Sequence, residues 1–418
     1  MHQTIGWQRV DTPAVEAWGC EPEAVAVGRH IAFVNAPTVG EVYPTLPIVA
    51  ELVRRGHRVS YATVEARAEA VAATGARVVA YTSSLPGESD RGLTRPDRAD
   101  YITAVREGFL GEARATFPQL APYFRDDRPE LVVYGTQSLA GRLVALREGL
   151  PAVQFQSFLA ANEHWSIARH LGLTVTPRPG LPDHQAQLDG YVAGEGFDPE
   201  VVRTFQPVAQ LLLYPRFMQY RAETFGPDRH FTGPCTGPRP FQERWSPADP
   251  DRPVVLVSLG TVYNRLPGFY RTCVEAFTGS GWQLVLAVGE RTDPAELGPV
   301  PADVTVAASV PQLDVLAHAA VFVTHAGMGG IQEAIRAGVP MLTLAQTPEQ
   351  EVNAQRVAEL GAAVPLDPAS LTSAGLRSAV ERLTADRGVR EAVAGLQAEI
   401  LTCGGAPLAA DVVESALA

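Results

Sequence analysis

Residues 321–356 read VFVTHAGMGGIQEAIRAGVPMLTLAQTPEQEVNAQR and carry the clearest structural pattern of the chain. The apolar, β-branched Val321–Val323 predicts the end of a buried strand, which a run of glycines then interrupts. Apolar positions return at helical spacing from Ile331 until Gly338, and a second strand follows at Met341–Leu344. A strand, a glycine turn, a helix and a second strand predict a βαβ unit in a parallel sheet.

The turn between this strand and this helix predicts an anion site. The backbone N–H groups of a first helical turn have no partner within the helix, and the helix dipole favours a negative charge there. Glycines let the backbone approach a ligand where a Cβ atom would collide. His325 stands at the carboxyl end of the strand, where open α/β sheets bind ligands. Because glycine turns before helices are common, the turn predicts a phosphate site only together with this context.

Four separated elements make the stretch more specific: Val310–Leu316, His325–Gly330, Glu333 and the pair Glu349–Gln350. Their order and spacing resemble the nucleotide-sugar signature of family 1 glycosyltransferases, and most of all that of the bacterial macrolide and natural-product branch. The resemblance covers roughly residues 29–418. It implies the GT-B fold, an α/β architecture in which two Rossmann-like domains with parallel sheets face each other across a cleft.

Length and composition agree with two globular domains. A chain of 418 residues exceeds what one hydrophobic core usually supports, and 46% hydrophobic with 19% charged residues is ordinary for a globular protein. The net charge of −12 argues against binding to nucleic acid or to an anionic membrane surface. The four cysteines show no metal-binding CxxC spacing, which favours free thiols in a reducing compartment.

No run of the chain approaches the roughly 18 apolar residues that a membrane span needs. Residues 1–28 carry acids and prolines without an apolar core segment, so they do not resemble a signal peptide. We therefore expect a cytoplasmic protein in which residues 1–28 form an extension.

The expected domains follow from changes in composition. Residues 29–234 predict a Rossmann-like domain that begins with a βαβ unit including a loop at Ala36–Pro44, and the resemblance implies that this domain binds the acceptor. Residues 235–253 hold five prolines and no apolar period, which indicates a linker. Residues 254–418 predict a second Rossmann-like domain with carboxy-terminal helices, and the resemblance implies that this domain binds the nucleotide sugar. Two stretches of the first domain, Ser83–Asp100 and Leu171–Asp198, are predicted to be irregular.

The resemblance assigns roles at the nucleotide sugar. His325 would donate to the phosphates, Glu333 would hold the ribose hydroxyls and Gln312 would touch the base. The pair Glu349–Gln350 would bind hydroxyls of the donor sugar. All residues expected to contact the nucleotide sugar are Ser258, Gly260, Thr261, Val310, Gln312, His325, Gly327, Met328, Gly329, Gly330, Glu333, Glu349 and Gln350.

One residue departs from the family pattern at the base. The family usually has an aromatic residue just before Val-Pro-Gln, where it stacks on uracil, and this chain has Ser309. Serine cannot stack, and losing a base–aromatic contact costs about 1–3 kcal/mol. UDP and dTDP therefore both remain open as the nucleotide.

The catalytic base also departs from the pattern. The family usually places a histidine in a Gly-His-x-x-Pro loop after the first strand, and here Glu41 occupies that position in Gly40–Pro44. An aspartate that normally orients the histidine is replaced by Gly135-Thr136. A carboxylate with an ordinary pKa is a weak base, but burial can raise its pKa. We predict Glu41 as the base; a base from elsewhere, an acceptor acidic enough to need little help, and a non-catalytic protein remain alternatives.

These expectations combine into one predicted function. The protein is expected to be an inverting glycosyltransferase that moves a sugar from a UDP- or dTDP-sugar to a hydroxyl of a small hydrophobic natural product, such as a macrolide, polyketide or aromatic compound, in antibiotic biosynthesis. No metal and no cofactor beyond the donor are expected, and a homodimer is left open. The alternatives are a nucleotide-sugar-binding auxiliary protein without turnover and, less favoured, a nucleotide-sugar epimerase.

Overall fold

The computed structural model describes residues 28–85, 98–173 and 183–417. Within these ranges the chain forms two compact units, an amino-terminal unit of residues 28–241 with 403–417 and a carboxy-terminal unit of residues 242–402. The predicted extension lies outside the described residues apart from Gly28, as do parts of both predicted irregular stretches, residues 86–97 and 174–182. None of the described helices is both long enough and apolar enough to cross a membrane.

The amino-terminal unit is built on a parallel sheet of seven strands within the described residues. The strands are β1 (His30–Val34), β2 (Arg58–Thr63), β3 (Arg77–Ala80), β4 (Leu131–Gly135), β5 (Ala152–Gln156), β6 (Ala209–Leu212) and β7 (Arg229–Phe231). The helices are α1 (Val39–Arg54), α2 (Glu65–Ala72), α3 (Arg98–Asp126), α4 (Leu139–Glu148), α5 (Ile167–His170), α6 (His184–Gly194), α7 (Pro199–Thr204) and the last helix of the chain (Gly405–Ser415). The strand order is β3-β2-β1-β4-β5-β6-β7.

The carboxy-terminal unit repeats this plan with six described strands, again all parallel. The strands are β8 (Val254–Ser258), β9 (Gln283–Ala287), β10 (Val304–Ala307), β11 (Ala319–Thr324), β12 (Met341–Thr343) and β13 (Ala363–Pro365). The helices are α8 (Pro267–Phe277), α9 (Gln312–Leu316), α10 (Met328–Ala337), α11 (Pro348–Glu359), α12 (Ser373–Ala385) and α13 (Arg387–Leu401), so the last helix of the chain is α14. The order is β10-β9-β8-β11-β12-β13. The prediction of two Rossmann-like domains with parallel sheets is confirmed.

Both faces of the first sheet are buried, as parallel sheets require. Ile31 and Phe33 of β1 belong to one apolar core, whereas Ala32 and Val34 belong to the core on the opposite face. Because side chains alternate along a strand, one short apolar strand serves both cores. This explains why the central strands are continuously apolar in the sequence.

Each sheet has one point where the strand order changes direction. In the first sheet it lies between β1 and β4, and in the second between β8 and β11. Loops on either side of such a point lead away in opposite directions and leave a crevice at the carboxyl ends of the strands, where α/β proteins bind ligands. Glu41 follows β1, and His325 follows β11.

The first helix differs from prediction. The expected loop at Ala36–Pro44 is largely helical, since α1 begins at Val39 and includes Pro44 and Pro47. A proline removes one intrahelical hydrogen bond, but α1 packs its apolar residues against the sheet, and their burial offsets that loss. Glu41 therefore lies in the first turn of a helix rather than in a flexible loop.

Two other segments differ from prediction as well. The stretch Leu171–Asp198, predicted to be irregular, contains α6. The predicted second domain ran to Ala418, whereas the structure groups α14 with the amino-terminal unit. Ala409 and Val413 of α14 are buried in the core that α1 and the first sheet form, and Arg55 at the end of α1 pairs with Glu414 at 2.6 Å. Neither contact has a local sequence signal, because α14 lies far along the chain from its partners, and Arg55 and Glu414 are 359 positions apart.

Candidate functional site

The residues predicted to bind the nucleotide sugar come from segments that begin at the carboxyl edge of the second sheet. Ser258–Thr261 follows β8, Val310–Gln312 follows β10 and leads into α9, His325–Gly330 joins β11 to α10, and Glu349–Gln350 opens α11 after β12. Strands β8, β11 and β12 are direct neighbours in the sheet. The segments therefore surround the point where the strand order changes direction.

The ring of His325 lies against two of the glycines that were predicted to contact the nucleotide sugar. A Cβ atom on Gly260 would lie 2.7 Å from Nε2 of His325, and one on Gly327 would lie 2.5 Å from it. Gly260 also has a φ of +78°, a conformation that favours glycine. These two glycines thus make room for the imidazole ring of His325. A Cβ on Gly329 would meet nothing within 4 Å, so the chain is open at that position.

The His325 ring is uncharged at neutral pH. Burial lowers the pKa of His325 to about 4, and a hydrogen bond with the backbone of Ser258 opposes that shift only in part. A neutral imidazole can still donate one hydrogen bond through its N–H group. His325 is therefore suited to donate to an oxygen but does not supply a positive charge.

The start of α10 carries no side-chain cap. Its N-cap residue is Gly327, which offers no oxygen to the first turn of the helix. The amides of Met328, Gly329 and Gly330 have no acceptor within the helix, since the first intrahelical bond joins the amide of Ile331 to the Gly327 carbonyl at 3.0 Å. Such N–H groups at the positive end of a helix favour an anion.

A strained residue shapes this turn. Ala326 is fully buried and has a φ of +64°, which costs a residue with a Cβ atom about 1–2 kcal/mol. Nδ2 of Asn353 donates to the Ala326 carbonyl at 3.1 Å and also to Oε1 of Glu349 at 3.1 Å. Asn353 thus fixes the strained turn and the predicted sugar-binding carboxyl through one amide group. Asn353 was not among the predicted site residues, although it lies one helical turn after Glu349.

The two residues predicted to bind the nucleoside contact each other. Nε2 of Gln312 donates to Oε2 of Glu333 at 2.6 Å, and Glu333 is only 7% exposed. This bond joins the start of α9 to α10 and fixes the orientation of both side chains. Ser309, which stands where the family usually has an aromatic residue, is exposed.

Glu349 and Gln350, at the start of α11, already make hydrogen bonds within the protein. The backbone amide of Gln346 donates to Oε1 of Gln350 at 2.8 Å, so the amide nitrogen of Gln350 remains as its donor. Burial raises the pKa of Glu349, and the hydrogen bond from Asn353 opposes that rise.

Glu41 follows β1, next to the point where the strand order of the first sheet changes direction. It is 2% exposed, and its Oε2 accepts a hydrogen bond from the backbone amide of Ala36 at 3.2 Å. Its Oε1 is enclosed and has no hydrogen-bond partner among the described residues. Burial raises the pKa of Glu41 to about 8, and the bond from Ala36 opposes that rise. A carboxyl group with a pKa near neutrality is suited to accept a proton.

Gly135 makes the space that this carboxyl occupies. A Cβ atom on Gly135 would overlap Oε2 of Glu41 and lie 3.1 Å from its Cδ. The same Cβ would lie 3.1 Å from the Cβ atom of Asn35. An aspartate at position 135 would therefore exclude the carboxyl of Glu41 from its present place. The two departures from the family pattern are structurally linked.

The chain is similar in sequence to proteins of known family. The family model UDP-glucoronosyl and UDP-glucosyl transferase matches residues 233–398. The chain is 35% identical to the NDP-glycosyltransferase YjiC of Bacillus licheniformis over 395 residues, which cover 93% of this chain and 98% of that protein. This chain belongs to the UDP-glucoronosyl and UDP-glucosyl transferase family. It is accordingly a glycosyltransferase.

Two further relatives agree with this family membership. The chain is 37% identical to the oleandomycin glycosyltransferase of Streptomyces antibioticus, over 93% of this chain and 91% of that protein. The crystal structure of CalG4, the calicheamicin glycosyltransferase, superimposes with a TM-score of 0.78 at 37% identity and covers 94% of this chain and 99% of that chain. Because these matches span both units, the family's GT-B fold class applies to the whole described chain.

Proposed function

We propose that this glycosyltransferase moves a sugar from a UDP- or dTDP-sugar to a hydroxyl group of a small natural product, with inversion at the anomeric carbon. The observation that carries the proposal is the uncapped start of α10 at the centre of the predicted donor residues. The likeness to the oleandomycin and calicheamicin glycosyltransferases supports a natural-product acceptor.

The donor would lie along the carboxyl edge of the second sheet. Its diphosphate would accept hydrogen bonds from the amides of Met328–Gly330 and from His325. The bonded pair of Gln312 and Glu333 would contact the nucleoside, and Glu349 with Gln350 would contact the sugar. Ser258, Gly260, Thr261, Val310 and Gly327 would complete the site.

The chemical step needs a base for the acceptor. The proton of the acceptor hydroxyl would move to the carboxylate of Glu41 as the hydroxyl oxygen forms its bond to the anomeric carbon. The bond from that carbon to the diphosphate breaks at the same time, and the nucleoside diphosphate leaves with the electron pair. Attack opposite the leaving group inverts the anomeric configuration. The unpartnered Oε1 of Glu41 supports its assignment as the proton acceptor.

We propose that hydrogen-bond donors, and not a metal ion, stabilise the leaving diphosphate. Preorganised N–H groups of a helix start stabilise a charge that develops in the transition state. In the described part of the chain, no group of three or more His, Cys, Asp or Glu side chains is arranged to hold a metal ion. Dialysis against a chelator is expected to leave the rate of sugar transfer unchanged.

Replacing His325 by alanine is expected to weaken donor binding and turnover together. The variant loses a hydrogen bond to the diphosphate in both the ground state and the transition state, at a cost of about 1–3 kcal/mol, or roughly 5- to 150-fold in affinity. Calorimetry with the nucleotide sugar measures the affinity, and thermal unfolding tests whether the variant is folded. His318→Ala is the control, because His318 is exposed in the same unit. Unchanged donor affinity in folded His325→Ala would remove His325 from the site.

The proposed reaction is tested with a panel of UDP- and dTDP-sugars and of aromatic, polyketide and macrolide acceptors. Mass spectrometry is expected to detect a product heavier than one acceptor by one sugar residue, and NMR of that product is expected to show inversion. Incubation with the donor alone is expected to leave the sugar unchanged, whereas an epimerase would convert it. Donor binding without any product across the panel would favour the auxiliary protein instead.

A further inference from the structure

The amino-terminal unit contains a small cavity near the point where the strand order of its sheet changes direction, between β1 and β4. Asn35 and Ala36 after β1, Tyr81 after β3 and Ser138 after β4 line it on one side, and Glu112 of α3 lines it on the other. Its volume is about 10 Å³, which is space for about one water-sized group. Ala36 also donates its amide to Glu41, so the cavity adjoins the proposed base.

Two buried oxygens belong to residues that line this cavity. Asn35 is 3% exposed and Glu112 is 6% exposed. Oδ1 of Asn35 and Oε1 of Glu112 are both enclosed and have no hydrogen-bond partner among the described residues. An unpaired buried acceptor costs free energy unless a ligand or another group supplies a donor. Both atoms call for a hydrogen-bond donor from outside the described fold.

Three donor groups of the lining, on Tyr81, Thr116 and Asn35, are used within the protein. The Tyr81 hydroxyl donates to the Asn35 carbonyl at 3.2 Å, and the Thr116 hydroxyl donates to the Glu112 carbonyl at 2.8 Å. Nδ2 of Asn35 donates to the Ala36 carbonyl at 3.1 Å. Asn35 and Glu112 can therefore each accept a further hydrogen bond through a side-chain oxygen.

The Glu112 carboxyl is held in place by its other oxygen. Oε2 accepts hydrogen bonds from the hydroxyls of Ser83 and Ser84 at 2.9 and 3.1 Å, and from the amides of Ser84 and Leu85 at 2.8 and 3.1 Å. These four bonds fix the carboxyl against the segment that follows β3. Oε1 is thus presented in a defined position rather than by a mobile side chain.

We propose that this cavity binds a primary ammonium group of the acceptor, with Glu112 as the counter-ion and Asn35 as a second hydrogen-bond acceptor. The acceptor is then an amino alcohol whose hydroxyl faces Glu41, a statement that rests on the proposed function. A primary ammonium is about the size of a water molecule and has three donors and no acceptor, which complements the two open oxygens. Acylating the amine removes the charge and makes the group too large for the cavity.

The test measures binding of paired phenols to the full chain in the absence of donor. The pairs are 4-(aminomethyl)phenol with 4-ethylphenol, and tyramine with 4-propylphenol, which differ only by an ammonium in place of a methyl group. N-acetyltyramine is the acylated control. Affinities are measured by ligand-observed NMR at a pH where the amines are protonated. At least one amine is expected to bind tenfold or more tightly than its methyl partner, and N-acetyltyramine is expected to lose that advantage.

Three variants locate the effect. Glu112→Gln keeps an oxygen for the segment after β3 but removes the charge, so the preference for the amine is expected to disappear while the methyl partner binds as before. Asp126→Asn removes an exposed carboxylate of the same helix and is expected to keep the preference. Asn35→Asp adds a second carboxylate to the cavity and is expected to increase it, which tests the site even if Glu112→Gln does not fold.

The outcomes separate this inference from the proposed function. Equal affinity for amine and methyl partner in the wild type, or an equal loss for both in folded Glu112→Gln, would overturn the ammonium site. Sugar transfer to the neutral phenols would then still support the proposed function. A retained amine preference without sugar transfer to any acceptor would contradict the proposed function and leave the ammonium site in place.

Discussion

Glu41→Gln is expected to lower the turnover number by at least about a hundredfold while the affinity for the nucleotide sugar stays unchanged. A positioned general base contributes about 10²–10⁴-fold to a proton-transfer step, and the amide of glutamine cannot accept that proton. Glu41 is hydrogen-bonded to Ala36 and lies against Gly135, and the substitution alters none of the residues proposed to bind the donor. Turnover is measured with saturating donor and acceptor, and donor affinity by calorimetry.

A control separates the loss of a base from the loss of a charge. Glu69→Gln removes an exposed carboxylate of α2 in the same unit and is expected to leave turnover unchanged. Glu41→Gln keeps the size of the side chain and should fold, since the Glu41 carboxyl is buried in a fixed position. If Glu41→Gln turned over as fast as the wild type, the base would lie elsewhere or the acceptor would need none.

The second large effect is a pH dependence of kcat/KM. The base form of Glu41 is the carboxylate, and burial raises the pKa of this group to about 8. Its ionised fraction therefore falls about tenfold for each pH unit below that value, so kcat/KM is expected to rise from pH 6 and to level off above about 8. The profile is measured with an acceptor hydroxyl that does not titrate in this range. A flat profile from pH 6 to 9 would contradict a buried glutamate as the base.

The same pKa shift predicts how stability changes with pH. A pKa that is higher in the folded than in the unfolded chain means that the folded protein binds the proton more tightly. This contribution to the free energy of unfolding is complete below the ordinary glutamate pKa and is lost as the pH rises through about 8. Denaturant titrations of the wild type and of Glu41→Gln should therefore differ in pH dependence, with the wild type losing relative stability from pH 5 to 8.

Local patterns were sufficient to predict much of the second unit. The apolar run before His325, the helical spacing from Ile331 and the stop at Gly338 correspond to β11, α10 and its left-handed C-cap. Each of these signals acts within a few residues of chain, so the sequence carries it directly. The order of strands could also be expected, because βαβ units with short connections build doubly wound parallel sheets.

Contacts between distant residues could not be predicted in this way. The space for Glu41 depends on Gly135, which is 94 residues away in the chain, and the sequence showed only that a family aspartate was missing. Likewise, no pattern in the sequence indicated that Gly260 and Gly327 pack against the ring of His325. Each of these contacts arises from tertiary packing, which has no periodic signal in the sequence.

In the proposed donor complex, the diphosphate lies at the start of α10. A crystal structure of the protein with bound UDP or dTDP would show whether it does. We expect phosphate oxygens within hydrogen-bond distance of the amides of Met328–Gly330 and of the His325 ring. A well-ordered nucleotide bound elsewhere, with no phosphate at these amides, would contradict the account.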